Sequence, residues 1–266
     1  MFRKRHSKKI DPAIQLQARY ELNEWYRKPL GQALLEYERK ELDDILSNLF
    51  GYHLLQVGIL GHCHVLGQSR IHHCSLMDGD YYALANTSCK AGVLCAEPES
   101  WPIAGDSVDV VLLPHVLEFS PDPHQVLREL DRSLIPEGHL VLLGFNPFSL
   151  WYLWSLILAP WKKAPWNGNF YSMRRLKDWL SLLGFDMVYS RSYFFRPPIT
   201  HPGILHKIRF LERLGQRSWP FFGGGYIMVA KKRVTALTPI RPRWRARRKF
   251  NPADAISTNM RDVEHD

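Results

Sequence analysis

Two rhythms of apolar residues divide this chain. Over 13–49, Leu34, Leu35, Tyr37, Leu42, Ile45, Leu46 and Leu49 return at spacings of three and four among Glu, Lys, Arg and Asp, the repeat of an amphipathic helix. Pro29 and Gly31 interrupt it, which predicts two helices with a turn near 28–31. From residue 52 onward short apolar runs take over. Strands are expected at 52–57, 72–77 and 92–96, the first closed by Gly58-Ile59-Leu60-Gly61 and the second by Asp78-Gly79-Asp80, with a short helix over 81–88. The most pronounced run, Val108-Asp109-Val110-Val111-Leu112-Leu113, has the composition of a strand buried on both faces, and Pro114-His115-Val116-Leu117-Glu118-Phe119 arrives where that strand should end.

Beyond it, Val126, Leu127, Leu130 and Leu134 mark one face of a helix over 122–134, started at Asp122-Pro123 and stopped by Pro136-Glu137-Gly138. A strand at 139–145, an amphipathic helix at 170–183, a strand at 185–195, a helix at 204–214 and a strand at 225–230 complete the pattern. Alternating strand and helix is the mark of a doubly wound parallel sheet, in which ligands bind outside the carboxyl ends of the strands. The uncharged run 140–159 does not qualify as a membrane span. Gly144, Asn146 and Pro147 interrupt it and its first part is needed as a strand, so the remnant 148–159 is too short to cross hydrocarbon and is expected as an apolar helix over the cleft or the sheet edge.

Charge changes the picture at the ends. The net charge is +9, yet residues 11–230 carry 20 Lys/Arg against 22 Asp/Glu. Residues 1–10 hold five Lys/Arg and residues 231–249 hold nine, with no acid in either stretch. A disordered basic arm over 1–12 and a disordered basic tail over 234–266 are therefore expected. Such tails can hold RNA, DNA or, transiently, an anionic surface through counterion release, or serve as solubilising ends. Cys63, Cys74, Cys89 and Cys95 form no CxxC pair, so reduced thiols, a cytoplasmic location and no metal site are expected.

The wording from Glu97 to Trp151 resembles the type-11 methyltransferase domain of class I S-adenosylmethionine-dependent methyltransferases. The segment Ala96-Glu97-Pro98-Glu99-Ser100-Trp101-Pro102-Ile103, then Asp106-Ser107-Val108-Asp109, His115-Val116-Leu117-Glu118-Phe119 and Asp122-Pro123 follow one another in the register of that family. The resemblance covers about residues 20–230. It implies an α/β fold, Rossmann-like and doubly wound, with a mostly parallel seven-stranded sheet containing one antiparallel strand and helices on both faces. It implies further that 13–233 is the methyltransferase domain, with 13–50 as a helical cap, that S-adenosyl-L-methionine is the cofactor, and that a methyl group passes to an acceptor by in-line displacement.

The resemblance also implies site residues. Gly58 and Gly61 line the amino-acid end of the cofactor, where a missing side chain lets a ligand approach the backbone. Asp78, with Asp80 in reserve, accepts from the ribose hydroxyls, although Asp78 also fits a plain turn aspartate. Glu97 accepts from the adenine amino group where the family has an aspartate. His115 and Glu118 shape the cofactor pocket, and in a second reading His115 accepts a proton from the nucleophile. Asn146, Phe145 and Trp151 fall on the acceptor side. Two departures stand out: Gln56 occupies a place where an acid is usual, and the glycines are spaced Gly-x-x-Gly. They keep open a methyltransferase-fold protein without catalysis that binds nucleic acid or a partner through its tails. The acceptor stays open between a lipophilic small molecule, favoured by the aromatic run 145–161, and RNA or DNA, favoured by the tails.

Overall fold

The computed structural model describes residues 12–61, 69–85, 91–149, 151–152, 168–197, 215, 219 and 221–233, all within the first of the two units into which the chain divides, Met1–Val234. Of the expected arm over 1–12 only Pro12 is described, as the first residue of a helix, and the helix at 204–214, most of the apolar remnant beyond Tyr152 and the tail from 234 lie outside the described residues. Seven strands form one sheet in the order β3-β2-β1-β4-β5-β7-β6. They are β1 (His53–Val57), β2 (His73–Asp78), β3 (Gly92–Cys95), β4 (Val108–Pro114), β5 (Leu134–Phe145), β6 (Phe185–Tyr193) and β7 (Gly225–Lys232). β1 pairs in parallel with both β2 and β4, while β7 runs antiparallel between β5 and β6. The expected sheet with its single antiparallel strand is therefore present.

The reason for the order lies in which residues are apolar on which face. Val110, Val111, Leu112 and Leu113 are all 0% exposed. Even positions Val110 and Leu112 join the core formed with the cap helices, and odd positions Val111 and Leu113 join the core on the other face. Each such side chain contributes roughly 1.5–3 kcal/mol on burial, so β4 has no tolerable edge position and must be central. The cap consists of α1 (Pro12–Tyr26) and α2 (Pro29–Leu46), broken where Pro29 and Gly31 predicted. A β-carbon on Gly31 would lie 2.4 Å from the Trp25 carbonyl oxygen, which is why the turn needs glycine. Leu30, Leu34, Leu35, Leu42 and Leu46 face the sheet.

Helices α3 (Tyr81–Ala85), α4 (Pro123–Ser133) and α5 (Met173–Leu182) complete the described helices. Asp122 caps α4 by accepting from Gln125 N at 3.0 Å, and Ser172 caps α5 from Arg175 N, so that Phe170 and Tyr171 precede the helix expected to contain them. α4 and α5 send Leu127, Leu130, Leu176 and Leu180 onto the face opposite the cap. One expectation fails: Pro136-Glu137-Gly138 does not separate α4 from β5. The strand begins at Leu134, paired with Val108, and the ladder resumes at Val110 with His139, so the extra residues form a bulge in which Glu137 takes φ +65°. No described helix is long and apolar enough to cross a membrane.

Candidate functional site

The chain winds left from β1 to β3 and then returns to place β4 beside β1, so the loops after β1 and β4 part at the carboxyl edge. Crevices at such switch points bind ligands in open α/β sheets. The β1 loop enters with Gly58 at φ +93° and passes Gly61 at φ +61°, both in the left-handed region. A β-carbon on Gly58 would lie 2.9 Å from both Val116 Cγ2 and Arg19 Nη2, and one on Gly61 would lie 2.7 Å from Leu35 Cδ2. Gln56 explains its own departure from the family wording. Its Nε2 donates to the Gly58 carbonyl at 2.8 Å, a bond no carboxylate could donate, while its buried Oε1 has no partner.

Asp78 ends β2 at 2% exposure. Its Oδ2 accepts from Arg19 Nη2 at 2.7 Å and Ile59 N at 2.9 Å, and its Oδ1 from Asp80 N at 3.0 Å. Across Gly79, whose β-carbon would lie 2.9 Å from Glu97 Oε2, stands the second expected carboxylate. Glu97, Glu99, Arg19, Val116, Phe119 and Ser120 line a narrow cleft of about 10 Å³. Ser120 donates to Glu99. Burial, then the charges of Glu99 and Asp78, raise the Glu97 pKa against the opposing pull of Arg19. The structure therefore brings Gly58, Asp78 and Glu97 to one edge, as expected, together with an arginine from the cap.

His115 has φ +50°, a rare conformation for a residue with a β-carbon, and its N–H continues the β4–β5 ladder to Leu143 O at 3.0 Å. That twist turns the imidazole inward. Its Nε2 lies 3.0 Å from Glu38 Oε1, which also accepts from Tyr193 OH at 2.9 Å, while Glu38 Oε2 accepts from Tyr26 OH at 3.1 Å. His115 Nδ1 lies 3.5 Å from Glu118 Oε1, within ion-pair reach without an aligned hydrogen bond, and that carboxylate accepts from Phe145 N at 2.8 Å. Burial pulls the His115 pKa down, but the Glu38 charge, with help from Glu118, prevails and raises it to about 9. The phenols of Tyr26 and Tyr193 are pushed well above their usual value by burial and by Glu38, so they remain donors. An imidazolium enclosed at 2% exposure is placed to hold the cap on the sheet, not to take a proton from an acceptor.

The residues expected on the acceptor side are equally occupied. Asn146 Nδ2 donates to Phe221 O and Gly223 O, and its Oδ1 accepts from Phe148 N. Phe145 stacks on His115 at 4.0 Å between ring centroids, and Trp151, 1% exposed, donates its indole N–H to Arg196 O. Phe145 and Trp151 are core, and Asn146 stitches together two loops. Those loops carry large exposed side chains instead: Phe148 is 65% exposed and Phe221 69%, with Tyr152, Trp219 and Phe222 also exposed.

Sequence reading passed over Arg19, Glu38 and Glu99. Glu38 left a signal, because it sits in the apolar stripe of Leu34, Leu35 and Leu42, where a carboxylate needs buried partners. Arg19 left none, since α1 has only a weak apolar face.

Comparison with known proteins follows the same lines. The model of a family described as "Methyltransferase domain" matches residues 58–142. An uncharacterised Escherichia coli protein, YafS, is 31% identical over 214 residues, covering 80% of this chain and 82% of its own. A chain of the Haloferax volcanii complex between a methyltransferase and its activator superposes with a TM-score of 0.60 at 17% identity, over 82% of this chain and 99% of that one. A S-adenosylmethionine-dependent methyltransferase from Thermotoga maritima does so at 0.59 and 16%, over 83% and 99%.

Proposed function

The chain belongs to the class I S-adenosylmethionine-dependent methyltransferases, in their type-11 branch, and from that premise we propose that it methylates a lipophilic acceptor by in-line displacement. The observation that carries this reading is the meeting of Gly58, Asp78 and Glu97 at the β1/β4 switch point.

The residues present suit the cofactor. Gly58 and Gly61 carry no β-carbon that would crowd its amino-acid end, although Arg19, Val116 and Leu35 approach them closely, and the partnerless Gln56 Oε1 is an acceptor left over for an ammonium group. Asp78 supplies two oxygens for a ribose diol, and Glu97 an acceptor for an adenine amino group. Bound there, the cofactor supplies an electrophilic methyl on a sulfonium centre. The protein's share is alignment and exclusion of water, worth roughly 7–11 kcal/mol when the reacting atoms are well oriented. His115 is protonated below about pH 9 and enclosed, so the nucleophile gives up its proton elsewhere.

A lipophilic acceptor is supported by the rim of Phe148, Tyr152, Trp219, Phe221 and Phe222 on the loops that Asn146 joins beyond β5 and before β7. Large aromatics exposed on joined loops are candidates for a binding surface for apolar partners. The test supplies cofactor bearing a tritiated methyl together with a cell extract and follows the label. Label entering the organic-soluble fraction is expected. Label in RNA or DNA would transfer the acceptor to the basic tails, and no transfer would favour a fold without catalysis.

A further inference from the structure

Arg19 stands among the residues that the cofactor reading assigns to the ligand, Gly58, Asp78 and Glu97. Its Nη2 is 2.7 Å from Asp78 Oδ2 and 2.9 Å from the place a β-carbon on Gly58 would take, and the side chain lines the cleft beside Glu97 and Glu99. It is 13% exposed and its partner carboxylate 3%, so the pair is well shielded from water. The cleft it leaves, about 10 Å³, is far below the roughly 300–1,000 Å³ common for small-molecule sites.

Three physical conflicts follow. A ribose diol needs both Asp78 oxygens, but Oδ2 already serves Arg19 and Ile59 N while Oδ1 serves Asp80 N. The cofactor, whose ammonium and carboxylate cancel, brings the net positive charge of its sulfonium into a shielded space that already holds a guanidinium, and like charges there repel. The backbone made bare by Gly58 is covered by the same guanidinium. Arg19 can leave without dismantling the cap. The buried side chains of α1 among the described residues, Leu22, Trp25 and Tyr26, all come after it, Ala18 before it is only partly buried against the core, and Tyr20 beside it is 52% exposed.

We infer that Arg19 is an internal counter-ion of the cofactor site, pairing with Asp78 when no cofactor is present and withdrawing with the first part of α1 when cofactor enters. The inference rests on the cofactor reading above. Cofactor binding and undocking of that part of α1 are then one coupled equilibrium, and apparent affinity is reduced by the fraction of molecules in which Arg19 is docked.

The experiment titrates the full chain with S-adenosylmethionine by calorimetry in the wild type, Arg19→Ala, Arg19→Lys and, as a control on the same helix, Arg27→Ala, whose partner Glu24 lies at the surface. Hydrogen exchange of α1 amides is followed with and without ligand. Arg19→Ala is expected to bind about tenfold more tightly, inside the roughly 5–150-fold span of ordinary couplings, with Arg19→Lys between it and the wild type. Arg27→Ala should match the wild type, and α1 amides of the wild type should exchange faster once ligand is bound. Weaker or equal binding by Arg19→Ala, or slower α1 exchange on binding, overturns the inference while leaving the cofactor reading intact. No heat in any variant ends the cofactor reading, and the inference with it.

Discussion

At the scale of single residues, Glu38 is a side chain on which several others converge: His115 Nε2 and the hydroxyls of Tyr26 and Tyr193 all meet its carboxylate. Removing one partner of a buried charge pair costs about 3–5 kcal/mol, so Glu38→Ala is expected to lose that much in urea unfolding. The pH dependence has a definite sign. His115 is raised from an unfolded value near 6.5 to about 9, so the native state holds the proton more tightly. Its contribution is complete below about pH 6.5 and is lost as pH rises through about 9. Unfolding free energy measured across that window should fall for the wild type and stay flatter in His115→Gln. The sequence showed His115 and Glu118 at the end of a strand, and so a pocket or a base; it could not show that a carboxylate 77 residues upstream would enclose the imidazole. Long-range partners of this kind leave no trace in local spacing.

At the scale of elements, β4 was the most legible because its apolar residues are consecutive, which only a central strand tolerates. β5 was less so: Pro136-Glu137-Gly138 has the composition of a turn, and only the pairing of Leu134 with Val108 makes it a bulge. Asp109 is instructive in the same way. Its place in the motif fixed the register that led to Glu97, but its physical work is to accept from Tyr52 N at 3.1 Å and His53 N at 2.9 Å, tying the start of β1 to β4. Asp109→Ala should therefore cost about 1–3 kcal/mol, seen as a lower melting temperature. The aromatic run was expected to place Phe145 and Trp151 toward the acceptor, whereas side-chain packing takes both into the core and leaves Phe148, Phe221 and Phe222 outside. Phe221→Ser together with Phe222→Ser should change stability little, within about 0.5 kcal/mol for each exposed site, yet reduce transfer of labelled methyl to organic-soluble acceptors.

For the whole molecule, charge and chemistry are separated along the sequence. Every candidate cofactor contact falls between Arg19 and Ser120, while the acid-free basic stretches are 1–10 and 231–249. Deleting 1–10 and 234–266 should leave affinity for S-adenosylhomocysteine unchanged and weaken any salt-dependent binding to nucleic acid, as a mobility-shift titration would read. The doubly wound order was legible from the alternation of strands and helices, and the edge that holds Gly58, Asp78 and Glu97 followed from it. What fills that edge was not, since Arg19 comes from a helix with a weak apolar face. The central claim is that this edge binds the methyl donor. Calorimetric titration of the full chain with S-adenosylhomocysteine, in the wild type and in the surface variant Glu97→Ala, tests it most directly. Binding of one ligand per chain, weakened about tenfold or more by loss of a charged hydrogen bond, is the predicted result. Absence of heat in the wild type, or equal affinity in the two proteins, would contradict it.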